Sequence, residues 1–150
     1  MPTHHQGPQN EIVALDAYIK LLRAAESVTS RVHAVLPASL SVTQFAVLEV
    51  LFHLGPLCQS QLALKLLKST ANLTLVIANL EKAGLIKRVR QPDDLRFIKI
   101  SLSPRGRTLI TNLFPKMAAR IANEFAVLDS QEKAEFGRLA KKLGLGKPRP

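Results

Sequence analysis

The sequence predicts a mainly α-helical protein carrying one small β-hairpin. Three observations point to it. Apolar residues recur at gaps of three and four through most of the chain, as the buried face of a helix requires. Between Ile86 and Leu102 that spacing gives way to a period of two, the mark of strands. Proline, glycine and capping residues fall between the periodic stretches, where helices start and stop.

The helical stretches follow in order. Residues 1–10 read as a polar, mobile tail. From Glu11 to Leu36, Leu15, Tyr18, Leu22, Ala25, Val32 and Leu36 form one apolar stripe, and Pro37 ends the helix. A helix this long carries more stripe than a small domain covers. It packs either within its own subunit or against a second one. Ser41 or Thr43 caps a second helix to about His53, with Phe45, Leu48, Leu51 and Phe52 on one face, and Gly55-Pro56 breaks the chain. A short helix from Gln59 to Leu67 turns Leu62, Ala63, Leu66 and Leu67 inward. After the Lys68-Ser69-Thr70 turn comes a helix to Lys82 or Ala83 with Leu73, Val76, Ile77 and Leu80 inward, stopped by Gly84.

Residues 86–90 and 97–102 then read as two strands around the turn-forming loop Gln91 to Arg96. Ser103-Pro104 opens another helix whose apolar face runs from Leu109 to Leu128, with Pro115 expected to kink it. Asp129-Ser130-Gln131-Glu132 resembles a capping box for a last helix bearing Phe136, Leu139, Ala140 and Leu143, which Gly144 and Gly146 end. Residues 147–150 read as tail.

At 150 residues, 47% of them apolar, the chain is sized for one domain (11–146) with a real core, which excludes a disordered protein. Cys58 is the sole cysteine, so an intramolecular disulfide and a multi-cysteine zinc site are both excluded. No stretch approaches the roughly 18 uncharged apolar residues of a membrane span. The first ten residues lack a basic-then-apolar export signal. A soluble, reduced, cytoplasmic protein is expected.

The net charge is +10, and it is clustered. Ten of the 21 basic residues lie between Gln59 and Arg107, opposed there only by Glu81, Asp93 and Asp94. That stretch holds the two short helices and the hairpin, and the excess points to a polyanion-binding face. Two short helices joined by a tight turn, then a basic hairpin, make a winged helix-turn-helix. Its second helix enters the major groove of double-stranded DNA, and its wing reaches the neighbouring minor groove.

Gly55-Pro56-Leu57, Gln61-Leu62-Ala63, Ser69 to Thr74, and Asn79 to Ile86 resemble, in that order, the MarR family of bacterial transcription regulators. Asp94-Leu95-Arg96 matches that family's D-x-R wing signature and is followed by a strand and Leu102-Ser103-Pro104-Arg105-Gly106. The resemblance covers residues 11–145 in element order and 43–106 in motif. It implies a DNA-binding core over about residues 41–103, with dimerisation helices over about 11–36 and 104–144. It also implies a homodimer on a palindromic operator, acting as a repressor that a small ligand or an oxidant relieves.

Carried over by position, Ser69, Thr70, Asn72 and Thr74 open the recognition helix, and Arg96 is the wing arginine, braced by Asp94. Arg88, Arg90 and Lys99, with Lys65 and Lys68, are expected on phosphates, which position a protein without reading sequence. The outward face of the recognition helix holds Ala71, Thr74, Leu75, Ala78 and Lys82. Leu75 departs from members with a polar or basic residue there. It has two readings, contact with a thymine methyl or loss of base readout. The dimer interface is expected at Leu15, Tyr18, Leu22, Ile121, Phe125, Phe136, Leu139 and Leu143.

Cys58 reads first as a small residue near a cap, and second as a thiol activated by the helix dipole. His4 and His5 lie in the tail. His33 and His53 lack ligand partners at metal spacing, so no metal is expected. Phe45, Phe52, Phe114 and Phe125 read as core, some of them as possible walls of a ligand cavity. With no Gly-rich phosphate loop and no G-x-S-x-G elbow, neither an enzyme nor a cofactor is expected. The rival classes are a winged-helix module that docks protein and a non-specific architectural DNA binder.

Overall fold

The computed structural model describes residues 4–94 and 97–146. Six helices and one hairpin follow in order: α1 (Gln9–His33), α2 (Val42–Leu54), α3 (Gln59–Leu66), α4 (Thr70–Lys82), β1 (Ile86–Arg90), β2 (Ile98–Leu102), α5 (Pro104–Glu124) and α6 (Ser130–Leu145), with a 3-10 turn at Phe125–Val127 before α6. This is the mainly helical, hairpin-bearing fold expected. The chain divides into two compact units, one of residues 35–117 and one of residues 1–34 with 118–150.

In the first unit, α2, α3 and α4 pack around Phe45, Val47, Leu48, Leu51, Leu62, Leu73, Ile77 and Leu80, all buried. Ser41 caps α2 through a reciprocal pair: its hydroxyl accepts from the Gln44 N–H, and the Gln44 amide oxygen accepts from the Ser41 N–H. The hairpin is antiparallel, in the register Ile86↔Leu102, Arg88↔Ile100 and Arg90↔Ile98. Ile86, Ile100 and Leu102 point into the core, so Lys87, Val89 and Lys99 share the outer face. Leu57 pairs with Ile100 through two backbone hydrogen bonds of 2.8 and 3.1 Å, which ties the hairpin to the segment ahead of α3.

The junction from α4 to the hairpin is a Schellman motif. The Leu85 N–H donates to the Leu80 carbonyl and the Gly84 N–H to the Glu81 carbonyl, with Gly84 at φ +72°. Ser103 then fastens the start of α5 to this junction. Its N–H donates to the Leu85 carbonyl (3.1 Å), its hydroxyl donates to the Gly84 carbonyl (2.6 Å), and the same oxygen accepts from the Gly106 N–H (2.9 Å).

In the second unit, α1 ends at His33 rather than Leu36. The ring of Pro37 would meet the carbonyl four residues back, which is that of His33. Helix α5 continues through Pro115 to Glu124, and the 3-10 turn takes the place of its expected extension to Leu128. Asp129 caps α6 in the expected box with Glu132, at 2.9 Å in both directions. Gly144 lies inside α6, and Gly146, at φ +67°, closes it.

Candidate nucleic-acid interface

The turn between α3 and α4 is tight because Leu67 adopts left-handed geometry at φ +53°, which lets the Lys68 N–H donate to the Ala63 carbonyl (3.0 Å). A left-handed residue at this point faces away from the helix it ends. Leu67 is therefore 90% exposed rather than inward, while Leu66 is half-buried. The helical spacing carried one residue too far, because periodicity does not show where the backbone reverses hand.

Ser69 caps α4, its hydroxyl accepting from the Asn72 N–H (3.1 Å). Gln59, at the start of α3, then clamps the first turn of α4. Its side-chain amide donates to the Thr70 carbonyl (2.9 Å) and to Thr74 Oγ1 (3.0 Å). The Thr74 hydroxyl in turn donates its one hydrogen to the Thr70 carbonyl (3.2 Å). Gln59 was legible in the sequence only as a helix-starting residue. Its role needs the turn to bring α3 and α4 side by side.

With Leu73, Ile77 and Leu80 buried, the opposite face of α4 is solvent-exposed over Ala71, Thr74, Leu75, Ala78 and Lys82, as expected. Leu75 is 69% exposed. Ser69, Thr70 and Asn72 are exposed at the start of the helix.

The same unit also carries exposed cations. Lys65 and Lys68 are exposed at the end of α3 and in the turn, and Arg90 and Lys99 on the hairpin. Arg88 pairs with Glu81 of α4 (Nε to Oε2, 3.0 Å), which braces the hairpin against α4. At the tip, the Asp94 carbonyl accepts from the Phe97 N–H (3.0 Å). Arg96, the expected wing arginine, lies outside the described residues.

Beneath the hairpin, Cys58 lines a cleft of about 310 Å³ with Ser60, Arg88, Phe97, Ile98 and Ile100. The Ser60 hydroxyl, 3.1 Å from Sγ, lowers the thiol's pKa below its ordinary value. Elsewhere in the same unit, a groove of about 570 Å³ is lined by Leu40, Leu85 and Leu109 together with Arg105, Thr108 and Asn112. Phe45 is buried, whereas Phe52 and Phe114 are half-buried with the His53 ring edge-on to both, at centroid distances of 5.1 and 4.7 Å. Among the described residues, no three His, Cys, Asp or Glu side chains gather to hold a metal ion. No described helix is long and apolar enough to cross a membrane.

The expected dimer residues all lie in the other unit. Tyr18, Leu22, Ile121, Phe136, Leu139 and Leu143 are exposed, between 42% and 66%, and Leu15 and Phe125 are half-buried. Phe125 and Phe136 meet edge to face at 6.0 Å. Glu124 is held between Arg31 and Arg120. The Arg31 hydrogen bond, followed by the two positive charges, keeps its carboxyl below the usual range.

Comparison with known proteins places these features in a wider set. Residues 40–98 match the model of the MarR family. The chain is 33% identical over 138 residues to the uncharacterized HTH-type transcriptional regulator YkoM of Bacillus subtilis, covering 88% of this chain and 86% of that one. Among solved structures, a probable transcriptional regulator from Pseudomonas aeruginosa superposes with a TM-score of 0.75 at 30% identity, over 83% of this chain and 94% of that one. Bordetella bronchiseptica BpsR, whose DNA binding is regulated by 6-hydroxynicotinic acid, superposes with a TM-score of 0.78 at 24% identity, over 86% and 98%.

Proposed function

The chain belongs to the MarR family of DNA-binding transcription regulators, and from that premise we propose that it is a repressor that grips a palindromic operator as a homodimer. One observation carries the reading. An exposed helix face, Ala71 to Lys82 of α4, lies in the same compact unit as the exposed cations Lys65, Lys68, Arg90 and Lys99, and the Arg88–Glu81 pair ties the hairpin that carries two of them to α4. In this arrangement α4 enters the major groove and the hairpin follows the flanking backbone. Phosphate neutralisation supplies most of the affinity, so binding falls steeply with salt.

The other unit supports the dimer. Its helices expose Tyr18, Leu22, Phe136, Leu139 and Leu143, more apolar side chain than a free protomer leaves in water without a partner. A second copy supplies the two-fold axis that matches a palindrome. A sedimentation mass of one chain at micromolar concentration would overturn it. A small effector acid fits the groove lined in part by Arg105, because the groove touches Ala83 and Leu85, where α4 hands over to the hairpin. The protein works in the cytoplasm and has no catalytic role.

The test is selection from randomised duplex DNA, followed by anisotropy titration of the winner against a scrambled duplex. A palindromic winner bound at least ~10³-fold tighter than the scramble supports the reading. Equal, salt-dependent binding to both refutes it. That outcome would favour a non-specific architectural binder, held to the phosphates by its cations alone.

A further inference from the structure

We infer that this protein reads its operator chiefly through thymine methyl groups, with Leu75 as the residue that recognises them. The inference rests on the DNA-binding reading above and specifies how its recognition helix discriminates bases.

Helix geometry places Ala71, Leu75, Ala78 and Lys82 within about 30° of the axis pointing away from Leu73, Val76, Ile77 and Leu80. The centre of the outward face is therefore three apolar side chains in a row, and its cation sits a full turn beyond them. Base reading by hydrogen bonds needs a polar or charged side chain in that position, and Ala71, Leu75 and Ala78 offer none. Asn72 and Asn79 fall on the flanks, about 70–90° from the outward axis.

The hydroxyls near the centre do not replace them. The Thr74 hydrogen is given to the Thr70 carbonyl, and one of its lone pairs already accepts from Gln59. Donating to a base would break that first bond. Ser69 Oγ accepts the Asn72 N–H as the helix cap and sits at the helix start, where a phosphate fits the unsatisfied N–H groups. What α4 presents to the floor of the groove is methyl and isobutyl surface. The group there that gains from apolar contact is the C5 methyl of thymine, which cytosine lacks. Of the three apolar residues Leu75 reaches furthest from the helix and is 69% exposed, so it has the most apolar surface to bury.

The test uses the full-length protein and the selected duplex, with deoxyuridine replacing thymine one position at a time, which removes the methyl and leaves base pairing intact. The expected result is a symmetric set of positions, no more than two per half-site, at which affinity falls about fourfold per methyl. In Leu75→Ala, an exposed substitution whose fold is checked by thermal melting, uracil and thymine at those positions bind alike. Uniform tolerance of uracil overturns the inference, as does undiminished discrimination in Leu75→Ala. A failure to prefer the selected duplex over the scramble is a separate result and counts against sequence-specific regulation itself.

Discussion

Replacing Gly106 by alanine puts a methyl where the backbone of Leu85 already stands. The new Cβ would sit 1.9 Å from the Leu85 carbonyl oxygen and 2.8 Å from its carbonyl carbon, whereas real Cβ contacts stay beyond 3.0 Å. Both obstructing atoms are main chain, so no side chain can swing aside. The first turn of α5 must retreat by about 1 Å, a strain of about 1–3 kcal/mol for an overpacked site. The same carbonyl accepts the Ser103 N–H, and Ser103 also holds Gly84, so the retreat stretches hydrogen bonds worth about 1 kcal/mol each. Alanine's better helix propensity returns about 1 kcal/mol. The net expectation is a loss of about 2–4 kcal/mol. Urea unfolding followed by circular dichroism, at one fixed protomer concentration, measures it as a fall in midpoint of roughly 1–3 M. A midpoint equal to that of the parent protein would refute the close approach. Because Ser103 secures the junction between α4 and the hairpin, the folded fraction of Gly106→Ala should also bind DNA more weakly.

Three further predictions follow from single contacts. Leu67→Gly removes a left-handed leucine that packs against nothing, and should raise stability by about 0.5–1 kcal/mol, read as a higher thermal midpoint. Glu124 has a folded pKa below its unfolded one, so its ion pairs stabilise above the ordinary carboxylate range and are lost as pH falls through the depressed folded value. Glu124→Gln should therefore be less stable than the parent at neutral pH, and the two unfolding curves should converge in acid. Lys99→Ala should lower affinity for all duplexes alike and reduce the slope of log K against log salt by about 2, one contact from each protomer of the dimer, seen in anisotropy titrations at several salt concentrations.

The extent to which this molecule is legible in its sequence follows the range of the interactions involved. Capping is local, so Ser41, Ser69 and Asp129 mark helix starts that the structure repeats. The buried faces of α2 and α4 are legible for the same reason, since a helix repeats every 3.6 residues whatever surrounds it. Leu67 marks the limit, because an apolar residue at helical spacing looks alike whether the chain goes on or reverses hand. Interactions that join distant segments leave less trace. Gln59 reaches Thr74 and Arg88 reaches Glu81 only after the turn and the hairpin bring them together. Gly106 lies in a recognisable motif, but the reason a glycine stands there, the carbonyl of Leu85, lies 21 residues away.

The apolar face of α4 also limits how much discrimination the recognition helix can supply. At about fourfold per methyl, two thymines in each of two half-sites give a preference on the order of 10². Sequence-specific regulators stand at 10³ or more over non-specific DNA. The remaining factor of about ten has to come from outside α4, and in the proposed arrangement the hairpin is the other element beside the DNA. A narrow minor groove in an A·T-rich flank attracts cations more strongly than an average one, which gives a basic wing a preference without a base contact. Thymine-rich half-sites bring such flanks with them, so methyl contact in the major groove and cation placement in the minor groove favour the same sequences. Replacing an A·T flank by G·C, with the thymines opposite Leu75 kept, should then cost about tenfold in affinity. If that replacement is neutral, the hairpin contributes charge alone, and the specificity ratio of the whole protein should not rise above the order of 10².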